Sequence, residues 1–222
     1  IAVDKGITSP SIVVIGQVVT LRNTLNWFER KPLFGKKVVV TRAPSKEDSL
    51  TQRLNDLGAD ILPVPVLRSD VTTRSRELVE CILGIGEYDW VIFTSVRGVD
   101  AFFEAFFKAY NDIRSIGNVR IAAVGPATAK RIQALHLTVD AIPEAYRADQ
   151  IKDAIHTHES VENIRILLAR AEVANPELPQ LLEKEGAMVD DVACYRTVSE
   201  TNDPQETGEK LQNEGADWLT FT

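Results

Sequence analysis

The chain has 222 residues, enough for one large or two small domains, and its 44% hydrophobic and 26% charged residues are those of an ordinary globular protein. A net charge of −7 argues against general nucleic-acid binding, which needs a basic face. No run approaches the ~18 apolar residues of a membrane span.

No basic stretch followed by an apolar core marks a signal peptide, so a cytoplasmic location is expected. The first residue is Ile1 rather than Met, which puts the expected natural start upstream. Cys81 and Cys194 form no metal or redox spacing and lie in apolar company. Free, buried thiols in a reducing compartment are expected.

Residues 1–34 look unlike the rest. Ser11 to Val19 reads as one strand and Leu21 to Phe28 as a short helix, with Pro32 and Gly35 marking a boundary. The segment is too short for its own core and reads as a tail or the end of something larger. Lys37 to Thr41 is then a predicted strand. Ser45, with Asp48 three residues on, caps a helix to Leu57. Leu50, Leu54 and Leu57 line its inner face, and Gly58 ends it. Asp60 to Val71 is extended, and its Pro63 and Pro65 suit an edge or a linker.

Further helices are predicted over Glu77 to Leu83, Gly98 to Tyr110, Thr128 to Leu135, Ala148 to His156, Pro176 to Lys184 and Pro204 to Asn213. Strands are predicted over Trp90 to Phe93, Val119 to Val124, Thr138 to Ile142, Arg165 to Leu168, Val189 to Val198 and Trp218 to Thr222. This alternation predicts an α/β fold with parallel sheets.

One repeat organises the chain. Asp89-Trp90-x-x-Phe93-Thr94 returns 128 residues later as Asp217-Trp218-x-x-Phe221-Thr222. The same offset aligns Lys37 to Ala43 with Arg165 to Ala171, and Gly58, Ala59 and Arg68 with Gly186, Ala187 and Arg196. An internal duplication is the reading. Crossing twice through extended linkers, Val64 to Val71 and Val192 to Ser199, gives two lobes on a two-stranded linker. The expected division is a tail at 1–34, the first part of a terminal lobe at 35–71, a middle lobe at 72–196 and a return at 197–222. The second copy stops at Thr222, so the terminal lobe is expected to be incomplete and the chain to be C-terminally shortened.

The candidate chemistry lies at strand-to-helix turns. Arg42, Thr94, Ser95, Arg97, Gly125, Thr128, Arg170 and Thr222 offer hydroxyls, guanidinium groups and helix N-termini, all suited to carboxylates or phosphates. Plain helix capping and solvated arginines are the competing explanation at each position. The Gly125 turn lacks the glycine spacing of a phosphate or dinucleotide loop, so no nucleotide cofactor is expected. His136, His156 and His158 form no metal set; capping and solvation explain them. Tyr195 is the one candidate acid catalyst, because a phenol on an extended interlobe segment can donate to a leaving oxygen. Its counterpart in the repeat is Leu67, which favours simple packing instead.

Four ordered motifs resemble the uroporphyrinogen-III synthase family: Val40-Thr41-Arg42, Phe93 to Arg97, Val124 to Ala129, and Tyr195 to Val198. The likeness covers residues 36–222. Residues 1–34, with Gly6 to Val19 and Leu25 to Phe28, resemble the end of a uroporphyrinogen-III C-methyltransferase, as in a bifunctional fusion. The resemblance implies cyclisation of hydroxymethylbilane to uroporphyrinogen III, with loss of water and inversion of ring D through a spiro intermediate. This is a lyase step in heme, siroheme and cobalamin biosynthesis. It implies neither cofactor nor metal. Thr94, Ser95, Arg97, Gly125 and Thr128 would bind substrate carboxylates, and Tyr195 would assist departure of the hydroxyl. The expected partner is that small substrate, with no nucleic acid and no membrane. The expected state is a monomer, or a lobe completed by a neighbouring chain, and the shortened chain is expected to be weakly active or inactive. A non-catalytic two-lobed module binding a small anion is the alternative.

Overall fold

The computed structural model describes residues 11–42, 49–71, 75–145, 147, 150–200 and 206–221. In chain order these form α1 (Arg22–Leu25), β1 (Lys37–Val40), α2 (Ser49–Asp56), β2 (Asp60–Pro63), β3 (Leu67–Val71) and α3 (Arg76–Leu83). Then follow β4 (Trp90–Phe93), α4 (Val96–Ala109), β5 (Arg120–Ala123), α5 (Pro126–Gln133) and α6 (Ile151–His156). The last elements are β6 (Arg165–Ala171), α7 (Glu177–Lys184), β7 (Met188–Ser199), α8 (Thr207–Glu214) and β8 (Trp218–Thr220). The chain divides into two compact units, residues 1–67 with 200–222, and residues 68–199.

The first unit holds a three-stranded sheet in the order β2-β1-β8, with both pairings parallel. Val38, Val39 and Val40 of its central strand are buried. Pro63 ends the edge strand β2, where a missing N–H costs no ladder bond. Asp217 clamps the start of this sheet: its backbone N–H donates to the Lys37 carbonyl at 2.9 Å, and its carboxylate accepts from the Lys37 N–H at 2.9 Å.

The second unit holds a five-stranded sheet in the order β3-β7-β6-β4-β5. The β7–β6, β6–β4 and β4–β5 pairings are parallel. Both faces are covered, so the central strands are apolar throughout rather than alternating. Val91 and Phe93 of β4 face a core with Phe102, Phe103 and Phe106 of α4, Leu78 and Ile82 of α3, and Ile132 of α5. Trp90 and Ile92 face the other core with Ile151 and Ile155 of α6 and Leu178 and Leu182 of α7.

Several elements differ from the sequence expectation. Residues 11–15 form no strand, and Gln17–Leu21 is a 3-10 turn. Ile12, Val13 and Ile15 are exposed, and no described strand lies beside them to supply ladder hydrogen bonds. The helix expected from Leu21 shrinks to the four residues of α1. Thr138 to Ile142 makes only a single bridge, Ala141 to Ala122. Leu57 is exposed and α2 has no fully buried residue, so its inner face is shallower than its leucine spacing suggests. The two linkers are not bare connections: β3 and the end of β7 are neighbouring strands of the second sheet. The proposed cap Ser45 with Asp48, and the first residues of the helix expected from Ala148, lie outside the described residues.

Candidate active site

The carboxyl ends of β4, β5 and β7 carry the polar turns, as open α/β sheets favour. Ser95 is the N-cap of α4. Its backbone is extended, and its hydroxyl accepts the Gly98 N–H at 3.0 Å. That is local chemistry: a serine oxygen satisfies one of the helix's four orphan donors. Gly98 has a packing reason to lack a side chain. A Cβ there would lie 3.2 Å from the Ala169 carbonyl oxygen at the end of β6, and 3.2 Å from Ser95 Oγ.

Tyr195 reaches the same point from β7. Its hydroxyl lies 3.1 Å from Ser95 Oγ, and the residue is 9% exposed. A β-bulge aims it there. Arg170 pairs with Ala193, but Ala171 pairs with Tyr195, so Cys194 is the extra residue. Val192 points into the α4-side core; without the bulge, Tyr195 would face the opposite side. The shift of one residue turns it back. The Tyr195 carbonyl then accepts from Glu172 N–H at 2.8 Å, fixing the strand beyond the bulge. Cys194 is fully buried, and burial pushes its thiol up to about 12, so it is inert at neutral pH.

Arg97, in the first turn of α4, donates to the Ser69 hydroxyl on β3. Thr94 is half-buried just before the cap. Gly125 caps α5 with Pro126 at the first helical position, and a Cβ there would meet nothing within 4 Å. Thr128, one turn into α5, is buried. Thus Thr94, Ser95, Arg97, Gly125 and Thr128 stand at the turns and helix starts that follow β4 and β5, and Tyr195 lies within β7 of the same sheet.

The other three candidates are Arg170, Arg42 and Thr222. Arg170 is 7% exposed and each of its three guanidinium nitrogens donates a bond: Nε to Asp191 Oδ1 at 2.6 Å, Nη2 to Asp191 Oδ2, and Nη1 to the Asn175 carbonyl at 2.5 Å. The bidentate pair ties β6 to β7, and the Asn175 bond holds the loop that follows β6, so this guanidinium is already committed within the protein. Arg42 is exposed in the first unit, and Thr222 lies outside the described residues. Among the described residues no group of His, Cys, Asp or Glu is arranged to hold a metal ion. No described helix is long and apolar enough to cross a membrane.

Sequence reading missed Ser69, Gly98 and the bulge at Cys194. The Ser95-x-x-Gly98 spacing carried a usable signal, since a small residue three positions after a cap permits close approach to a strand end. The bulge carries none.

These features define a two-unit parallel α/β protein with a hydroxyl-rich turn cluster in its second unit. A profile of the family described as Uroporphyrinogen-III synthase HemD matches residues 48–222, and the chain belongs to that family. Over 222 residues it is 29% identical to the porphyrin biosynthesis protein HemD of Ruminiclostridium josui, covering 100% of this chain and 44% of that protein. Over 110 residues, 50% of this chain, it is 38% identical to the uroporphyrinogen-III C-methyltransferase of Bacillus subtilis (strain 168), covering 22% of that protein. The chain therefore spans less than half the length of either relative. A mutant uroporphyrinogen III synthase of the extremely thermophilic bacterium Thermus thermophilus shares the fold, with a TM-score of 0.55 over 83% of this chain and 71% of that one, at 19% identity.

Proposed function

We propose that this chain cyclises hydroxymethylbilane to uroporphyrinogen III, with inversion of ring D and loss of water, in tetrapyrrole biosynthesis. The observation that carries the reading is the bulge-directed Tyr195, whose hydroxyl meets Ser95 at the N-terminus of α4. Family membership over residues 48–222 supports it.

In this reading Tyr195 hydrogen-bonds the terminal hydroxyl of the linear substrate. As the C–O bond breaks, the oxygen takes the phenolic proton and leaves as water. The proton released when the pyrrole rings regain aromaticity after ring closure restores the phenol. Thr94, Arg97, Gly125 and the α4 and α5 N-termini hold substrate carboxylates. Thr128 and Arg170, being buried, act by holding their turns. Positioning of the two chain ends supplies most of the rate. The reading places the enzyme in the cytoplasm as a monomer.

Residues 1–34 complete the end of a methyltransferase-type domain. Their exposed apolar residues and the C-methyltransferase relative support this.

The test is isomer analysis. Hydroxymethylbilane is generated in situ with and without the chain, the products are oxidised, and the type I and type III porphyrins are separated. Excess type III over the protein-free control is expected, at the low rate anticipated from the sequence. Type I alone, the spontaneous product, would contradict the proposal.

A further inference from the structure

Resting on that reading, we propose that Ser95 is a positioning residue for Tyr195, holding its phenolic hydroxyl at the reacting oxygen rather than serving as a carboxylate ligand. Three observations carry this. Ser95 Oγ cannot wander, because it accepts the Gly98 N–H at 3.0 Å as the cap of a 14-residue helix. Its remaining hydrogen-bonding capacity points at Tyr195, 3.1 Å away. And the ring cannot retreat, because the bulge and the Glu172-to-Tyr195 backbone bond fix its strand.

The geometry makes the site a relay of position. The end of β6 sets α4 through Gly98, where a Cβ would meet the Ala169 carbonyl at 3.2 Å. The helix sets Ser95, and Ser95 sets the phenol. With Ser95 donating to the phenolic oxygen, the phenol's own proton is left for the substrate. A serine occupied on both sides, by Gly98 and Tyr195, has little left for a substrate carboxylate.

The test uses the whole chain with [13Cζ]tyrosine. Its four tyrosines give four carbon signals, and Tyr195→Phe identifies the one from Tyr195. Ser95→Ala is expected to move that signal and leave the other three in place, and Ser95→Thr to keep it near its original position. An unmoved Tyr195 signal in Ser95→Ala overturns the proposal.

Kinetics supply the second arm. Ser95→Ala is expected to lower kcat for type III formation by about ten- to a hundredfold with little change in KM, the cost of a misplaced reacting group. Ser95→Thr recovers most of it. Added to Tyr195→Phe, Ser95→Ala should cost nothing further. Additive losses would show a role in capping or carboxylate binding instead, and would also overturn the proposal. If the wild-type chain forms no type III product, the synthase reading of this chain fails, and the carbon signal alone decides the Ser95–Tyr195 contact.

Discussion

The two units are built on one frame and differ in what covers it. Shifted by 128 positions, the pairings of the first sheet recur in the second: Val38 with Trp218 becomes Ile166 with Trp90, and Lys37 with Asp60 becomes Arg165 with Met188. The aspartate clamp recurs too. Asp89 N–H donates to the Arg165 carbonyl at 2.9 Å and its carboxylate accepts from Arg165 N–H at 2.8 Å, as Asp217 does with Lys37. Gly58 and Gly186 close equivalent turns at φ +90° and +92°. Yet Trp90 is 0% exposed and Trp218 is 64% exposed. The frame follows from a few positions: an aspartate, a glycine and three apolar residues. Burial depends on the helices laid over it, and α4, α6 and α7 do that for β4.

The largest test of this contrast is the tryptophan pair. Trp90→Ala should destabilise the second unit by about 3–5 kcal/mol, as large-to-small core substitutions do. Trp218→Ala should change stability by about 0.5 kcal/mol or less. Urea titrations read by hydrogen exchange in each unit measure both. Equal losses would mean that the first unit has cover the structure does not describe.

The glycine pair comes next. Alanine at either site must adopt a left-handed backbone at a cost of about 1–2 kcal/mol. Gly58→Ala should be worse than Gly186→Ala, because its Cβ would meet Lys31 Cβ at 2.8 Å, whereas at 186 it meets the flexible Glu162 Cγ at 3.1 Å. Thermal melts of the two variants give the order, and the reverse order would show that the segment around Lys31 yields freely.

The aspartate clamps should be alike. Asp89→Ala loses a hydrogen bond between a carboxylate and a backbone N–H, costing about 1 kcal/mol, and Asp217→Ala loses the same bond together with its exposed pair to Lys36, which adds little. A large difference between them would break the equivalence of the two frames.

The smallest effect belongs to acid. The Trp90 indole at 2.7 Å and the Arg120 guanidinium hold the Glu159 carboxyl below the usual 4.5. Its folded value lies below its unfolded one, so its contribution is complete above about pH 4.5 and is lost as pH falls through the lower folded value. Glu159→Gln should flatten that part of the stability–pH curve, and an unchanged slope would remove Glu159 from the account.

Much of the fold was legible because it is written twice. The repeated Asp-Trp word and the Gly58/Gly186 spacing mark strand starts and helix ends, and the parallel α/β class follows from alternation. The strand expected at Ser11 to Val19 failed for a physical reason: apolar, β-branched sequence makes a strand only beside a partner. At the site, Ser95 was legible as a hydroxyl at a helix start, but its pairing with Tyr195 depends on a bulge with no residue signature. Arg170 looked like an anion ligand because its partner Asp191 lies 21 residues away, brought alongside only by the β6–β7 pairing.

The central claim is that the phenol of Tyr195 does chemistry in the second unit. Its most direct test is the initial rate of type III uroporphyrinogen formation by Tyr195→Phe, alongside binding of a carboxylated tetrapyrrole measured by fluorescence. The account expects the rate to fall about a hundredfold, the scale of a lost general acid, with binding within a factor of about two. An unchanged rate would contradict it and leave Tyr195 a residue that only packs against the α4-side core.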